Sequence, residues 1–251
     1  MNADPPELHD RTALVTGGAG GIGVAICRDL AGLGAKVIVV DIDEARARAV
    51  ADSLPNAESA AVDLGDPASV DRTMNDLSRR GVSVDILVNN AGVSRVQRFL
   101  ESSPDTWDDM WRVNLRAPMQ LTHGLLPGMV DREWGRLIYI STDGARAGAG
   151  GESVYATCKA GLFGLAKTLA REAARHGVTS NVVCPGLIDT PMLRSNQDEQ
   201  PGVVDALLRT IPIRRAGRPE EVSGMVAYLC TDRASYITGQ TLSVSGGITM
   251  A

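Results

Sequence analysis

An α/β fold, one doubly wound parallel sheet with helices on both faces, is what the sequence predicts, and three observations predict it. Short β-branched runs alternate with longer stretches of helical spacing, the runs are apolar almost throughout, and a glycine-rich turn joins the first run to the first helical stretch. A strand with one face in water alternates polar and apolar residues, so near-continuous apolar strands belong in a parallel sheet covered on both sides. The 251 residues, 44% hydrophobic and 22% charged, suit one compact domain over 1–251 with a large core better than two small ones.

In chain order the strand candidates are TALVT near position 12, KVIVV at 36–40, DILVN at 85–89, RLIYIS at 136–141 and SNVVC at 180–184, with a further strand before Asp63. Helical spacing occupies 21–33, 67–80 and 217–231, with Pro67 and Pro219 placed as helix-opening residues, where a missing N–H costs nothing. The stretch from Leu187 to about Ile211 resists assignment. It holds Pro191, Pro201 and many polar residues, and reads as a mobile substrate loop over a site.

The net charge of -5 is spread over 25 basic and 30 acidic residues without long runs of either sign, which gives no footprint for nucleic acid or an anionic membrane. Cys27, Cys158, Cys184 and Cys230 are widely spaced and form no CxxC pair, so buried free thiols in a reducing cytoplasm are expected, with no metal site. No apolar run approaches the roughly 20 residues that cross a bilayer, and the polar start MNADPPELHD does not read as a signal peptide.

TGGAGGIG at 16–23 follows a strand and opens a helix, so Gly17, Gly21 and Gly23 can form a tight turn that lets backbone approach a pyrophosphate at the helix N-terminus. Taken alone it is also an ordinary glycine-rich turn, and its spacing differs from GxGxxG. Asp41 ends the second strand, 18 residues after Gly23. A carboxylate there can accept hydrogen bonds from both adenosine ribose hydroxyls and would repel a 2'-phosphate, with no basic residue in the glycine loop or at Ile42 to offset it. The expected cofactor is therefore NAD rather than NADP. Aspartate at such a place also begins turns and caps helices.

At 155–159, YATCK lies in a helical segment, so Tyr155 and Lys159 project from one face. A phenol with an ordinary pKa of about 10 is a poor base at neutral pH, and a neighbouring cation could lower it. The pair alone leaves open an ordinary amphipathic helix.

Together TGGAGGIG, NNAG at 89–92, Asn114, Ser141, YATCK and PGLIDT at 185–190 resemble the short-chain dehydrogenase/reductase family, in the family's order and over nearly the whole chain. The resemblance implies a Rossmann-type domain and an NAD-dependent oxidoreductase acting on a secondary alcohol or ketone. It implies a tetrad of Asn114, Ser141, Tyr155 and Lys159, in which Tyr155 moves the proton and Ser141 holds the substrate oxygen. Lys159 would also hold the nicotinamide ribose, and Asn114 would order a water linking Lys159 to solvent. It further implies cofactor contacts from Gly17, Gly21, Ile22, Gly23, Asp41 and Ile42, from Asp63 and Leu64 along the adenine, and from Asn90, Ala91 and Gly92 near the ribose. Pro185, Gly186, Ile188 and Thr190 would clamp the carboxamide. The Ser141 to Tyr155 interval of 14 residues looks one longer than in many relatives, with DGARAGAGGES absorbing the difference.

The stretches around YATCK, NVVCPG and ITGQTLSVSGGITM look especially like bacterial dehydrogenases of 2-hydroxycyclohexanecarboxyl-CoA and kindred 3-hydroxyacyl thioesters. On that likeness Arg95, Arg98, Arg146 and Arg194 could meet coenzyme A phosphates, though they also suit scattered solvated arginines. An NADPH-dependent 3-oxoacyl-carrier-protein reductase, a sugar or polyol dehydrogenase and a non-catalytic dinucleotide sensor stand as alternatives. The family resemblance also implies a homotetramer built through the helices bearing Asn114 and Tyr155 and the last strand near Leu242 to Ser245.

Overall fold

The computed structural model describes residues 7–191, 193–194 and 201–250. Seven parallel strands form one sheet in the order β3-β2-β1-β4-β5-β6-β7. They are β1 (Thr12–Thr16), β2 (Lys36–Asp41), β3 (Ala57–Ala61), β4 (Ile86–Asn89), β5 (Gly135–Ile140), β6 (Val178–Pro185) and β7 (Thr241–Val244). The order reverses direction between β1 and β4, which leaves a crevice at their carboxyl ends, the usual ligand position in open α/β sheets.

Strand alternation divides the core in two. Ala13, Val15, Ile86, Val88, Ile138 and Ile140 face α1 (Gly21–Gly32), α2 (Glu44–Asp52) and the final long helix. Leu14, Leu87, Leu137 and Tyr139 face α3 (Pro67–Arg79), α5 (Ala117–Asp131) and α7 (Ser153–Ala173). Both faces are thus dry, which is why β4, β5 and β6 are buried throughout and carry no polar alternation. Pro67 sits in the first turn of α3, and Pro219 opens the final helix Pro219–Cys230, as their spacing predicts.

Between α3 and α5 the chain forms α4 (Pro104–Trp111), which runs through a π-turn, Arg112–Arg116, directly into α5. After β5 comes the short α6 (Gly144–Ala147). The 187–211 stretch corrects the expectation of an unbroken loop: Pro201–Thr210 is a helix, α8, and the final helix is α9. Pro201 opens α8, and Val204 and Ile211 are buried, so apolar anchors two turns apart hold the segment against the domain. Met192 and residues 195–200 of that stretch lie outside the described residues. All four cysteines are buried and free. Among the described residues no helix is long and apolar enough to cross a membrane.

Candidate active site

The glycine turn occupies the crevice. Gly17 and Gly21 have φ of +62° and +37°, in the left-handed region that side chains resist. A Cβ on Gly23 would lie 2.0 Å from the Gly17 carbonyl oxygen, and one on Gly17 would lie 2.9 Å from Ala91 Cα, so both positions exclude a side chain. The N-cap of α1 is Gly20, whose lack of a side chain leaves the first-turn N–H groups, including that of Ile22, without a side-chain acceptor. Bare backbone donors at the positive end of a helix are the donor set a pyrophosphate needs, so the cradle fits a dinucleotide.

Asn90 braces this turn. Its Nδ2 donates to the Thr16 and Gly17 carbonyls at 2.9 and 3.1 Å. Thr16 Oγ1 accepts the N–H groups of Asn90 and Ala91 at 3.0 and 3.1 Å, locking the end of β1 to the end of β4. Asp41 holds the turn from the other side: Oδ2 accepts the Ala19 N–H at 3.1 Å and Oδ1 the Asp43 N–H at 3.2 Å. The helix-capping role belongs to Asp43, whose side chain accepts from the Arg46 N–H. Each Asp41 oxygen keeps lone-pair capacity for a further donor. Ile42 beside it is exposed. Asp63 is exposed after β3, its carboxylate taking the Gly65 N–H at 2.8 Å, while Leu64 packs on the second core face.

At the chemical end, four elements converge. Lys159, fully enclosed on α7, donates from Nζ to the Ile140 carbonyl at 2.9 Å and the Ala91 carbonyl at 3.3 Å. Burial brings its pKa down from 10.5 to about 8. Asn114 sits in the π-turn and is buried, not on a helix surface. Its Nδ2 donates to the Val93 carbonyl at 2.8 Å and its Oδ1 accepts the Val93 N–H at 3.1 Å. A Cβ on Gly92 would stand 2.9 Å from Asn114 Oδ1 and 3.1 Å from Lys159 Nζ, so glycine is what lets these groups pack round one backbone point. Ser141, just past β5, is buried, and its hydroxyl donates to the Lys159 carbonyl at 3.0 Å.

Tyr155 lies one turn before Lys159, whose Nζ is 5.8 Å from the ring centroid. The expectation that Lys159 alone lowers the phenol pKa is corrected here. Burial pushes the phenol well above its ordinary value, and the charge of Glu152 pushes it the same way. Lys159 is itself desolvated and committed to two carbonyls, so it does not outweigh that cost.

Gly186 follows β6 against Ser245, too close for a Cβ, and Ile188 bridges to Gly217 in parallel. Thr190 returns toward the glycine turn, where a Cβ on Gly21 would meet its methyl group at 3.0 Å. The Pro185 to Thr190 segment therefore spans from the sheet edge to the dinucleotide cradle. Of the four arginines, Arg194 pairs bidentately with Asp189, Arg95 lies 3.8 Å from Asp109, and Arg146 donates to Ser243. Arg98 is exposed. Two residues of the site went unread in the sequence. Thr16 was legible as the last strand residue before the glycines, and Glu152 as an acid three residues before Tyr155.

A family model described as enoyl-(acyl carrier protein) reductase matches residues 17–249. A crystal structure described as a short chain dehydrogenase/reductase family protein superposes with a TM-score of 0.87 at 36% identity, covering 96% of this chain and 98% of the other. The chain belongs to the short-chain dehydrogenase/reductase family. As a member of it the chain is an oxidoreductase that works with a nicotinamide dinucleotide. It is 40% identical to the 3-oxoacyl-[acyl-carrier-protein] reductase of Escherichia coli K12 over 245 residues, 97% of this chain and 99% of that protein. With the Vibrio cholerae protein of the same name it shares 39% over the same coverage. Among solved structures, a Beutenbergia cavernae protein with NADP bound at low occupancy, provisionally described as an NAD(P)-dependent gluconate 5-dehydrogenase, superposes with a TM-score of 0.92 at 32% identity. It covers 97% of this chain and 98% of its own.

Proposed function

We propose that this enzyme interconverts a 3-oxoacyl thioester and its 3-hydroxyacyl form, with NAD(H) as the dinucleotide. The observation that carries the reaction type is the convergence of Tyr155, Lys159, Ser141 and Asn114 on the crevice mouth, joined through Lys159. A bound nicotinamide dinucleotide supplies or takes the hydride and, when oxidised, adds positive charge beside the phenol. Tyr155 Oη gives its proton to the substrate oxygen in reduction and receives it in oxidation. Ser141 Oγ, anchored through its hydrogen on the Lys159 carbonyl, turns toward the substrate oxygen to stabilise charge developing there. Lys159 stands behind the phenol as the proton's next carrier, with a pKa near the working range. Asn114 fixes the Val93 backbone beside it, and a water ordered by its π-turn would complete the route to solvent.

Asp41 supports NAD(H), because a 2'-phosphate would stand against a carboxylate that already holds the glycine turn in place. The thioester class follows the curated relatives named as 3-oxoacyl-[acyl-carrier-protein] reductases, in preference to the 2-hydroxycyclohexanecarboxyl-CoA likeness. Arg95, Arg146 and Arg194 already hold acceptors within the chain, which weakens the case for coenzyme A phosphates as their ligands. A sugar-acid or polyol substrate is the second reading, favoured by the likeness to the protein described as a gluconate 5-dehydrogenase. A sensor without turnover has no need of a buried lysine kept at a desolvation cost. The proposed assembly is a homotetramer. The exposed Trp107, Trp111 and Met119 on α4 to α5 and the edge strand β7 support it, and light scattering well above 26.5 kDa is the expected result.

A panel of 3-oxoacyl thioesters, sugar acids and polyols with each dinucleotide, followed by reduced-nicotinamide absorbance, tests substrate and cofactor together. Tyr155→Phe should lower turnover at least about 100-fold while leaving dinucleotide binding intact. Turnover at the unsubstituted rate would remove Tyr155 from the proton step.

A further inference from the structure

Glu152 is the N-cap of α7, and Tyr155 is the third residue of that helix. An acid at an N-cap ordinarily turns its oxygens onto the first-turn N–H groups. This one makes no capping hydrogen bond, and no donor or cation among the described residues meets its carboxyl group. The side chain instead lies over the start of α6, with Oε2 3.2 Å from where a Gly144 Cβ would stand. It is largely removed from water, and burial raises its pKa above the usual carboxylate range. A desolvated polar group left without a partner costs stability unless a ligand supplies the partner.

The charged groups around it are already committed. On the α6 side Asp143 accepts from Ser243, and Arg146 donates to the same hydroxyl. On α7 Lys159 is bound to two carbonyls. The segment after β4 runs alongside through the Gln97 N–H to the Gly151 carbonyl, and its Arg95 faces Asp109. With no counter-charge at hand, the neutral carboxyl is the form this place favours, and a neutral carboxyl can donate a hydrogen bond.

We propose that Glu152 is a substrate-binding residue whose neutral carboxyl donates a hydrogen bond to the thioester carbonyl, two carbons from the carbonyl that Tyr155 protonates. The assignment rests on the thioester reading above. It gives the first turn of α7 two donors, Tyr155 Oη for the reacting oxygen and Glu152 for its neighbour, so that a β-dicarbonyl is gripped at both oxygens. The grip weakens with rising pH, because the acid loses its donor proton as pH passes its raised pKa.

The test is steady-state reduction of acetoacetyl-CoA by the full chain from about pH 6 to about pH 9, with kcat and KM resolved separately. KM of the unsubstituted enzyme should rise across the range. Glu152→Gln, a permanent donor of nearly the same shape, should show a low KM that no longer varies with pH. Glu152→Ala should raise KM roughly tenfold at the acid end with kcat changed less than about threefold. A pH-dependent KM in the Gln variant matching the unsubstituted enzyme, or an unchanged KM in the Ala variant, overturns the assignment. A KM that falls in the Ala variant also overturns it and points to a substrate that donates to an ionised Glu152. No turnover of any thioester by the unsubstituted chain defeats the parent reading. Turnover with Glu152 variants indistinguishable from it defeats this inference alone.

Discussion

The two ends of the crevice are built from opposite materials. At the dinucleotide end the working parts are backbone, and the residues there are chosen for what they lack: Gly17, Gly21 and Gly23 leave room, and Gly20 leaves donors uncapped. At the chemical end the working parts are long polar side chains, Lys159, Asn114 and Tyr155, carried into a dry interior and held there by carbonyls from distant segments. Backbone recognition tolerates no added atom, whereas side-chain chemistry stores its cost as desolvation. The first end should therefore fail by steric intrusion and the second through pH.

Gly23→Val should have the largest effect. The added Cβ would fall inside contact distance of the Gly17 carbonyl, so the turn must open, costing about 1–3 kcal/mol of stability and weakening dinucleotide binding by roughly 100-fold or more. Thermal melts and a fluorescence titration with NADH read both, and binding within about threefold of the unsubstituted chain would mean the turn is not the cradle.

Lys159 probes the other material. Its pKa in the fold, about 8, lies below the ordinary 10.5, so between these values the unfolded chain binds more protons than the folded one. Stability must then rise as pH increases from about 8 toward 10.5, and the full cost, on the order of 3 kcal/mol, is present below pH 8. Denaturant midpoints of the unsubstituted enzyme and Lys159→Met at neutral pH and near pH 10 should therefore converge in the variant's disfavour, the unsubstituted chain gaining relative stability at high pH. Parallel pH dependences in the two proteins would contradict a desolvated lysine.

Asp41→Ser should have the smallest effect, because only one like-charge contact is removed and no cation is added. The NADP to NAD preference in kcat/KM should rise roughly tenfold, while melting changes little. A preference that does not move would leave cofactor choice to residues beyond Asp41.

What the sequence revealed follows the same division. The strands at β1, β2, β4, β5 and β6 were readable because burial on both faces demands continuous apolar runs. β3, AESAA, is only half-buried and small-chained, so its presence rested on the position of Asp63. The glycine turn could be read locally, since each glycine answers a local steric demand. The chemical end could not: Lys159 and Tyr155 have the spacing of any helix, and their carbonyl partners lie 19 and 68 residues away. Family resemblance supplied the tetrad, but not the bond from Ser141 to α7 or the isolation of Glu152, which depend on how α6 lies over the helix start. The α8 helix was obscured by prolines at its approach, although Val204 and Ile211 carry the anchoring pattern.

The π-turn at Arg112–Arg116 has a consequence for the chain's tolerance of length change. It amounts to one surplus residue threaded into an otherwise continuous rod, and the surplus resets the angular phase between α4 and α5. Deleting a single residue there would restore a regular helix, but every side chain downstream would swing by about 100° relative to those upstream. Asn114 would leave Val93, or Leu121 and Leu125 would leave the sheet. An irregularity that looks like a flaw in the helix thus acts as a phase key, and a shorter, smoother sequence could not keep the asparagine and the core aligned at once.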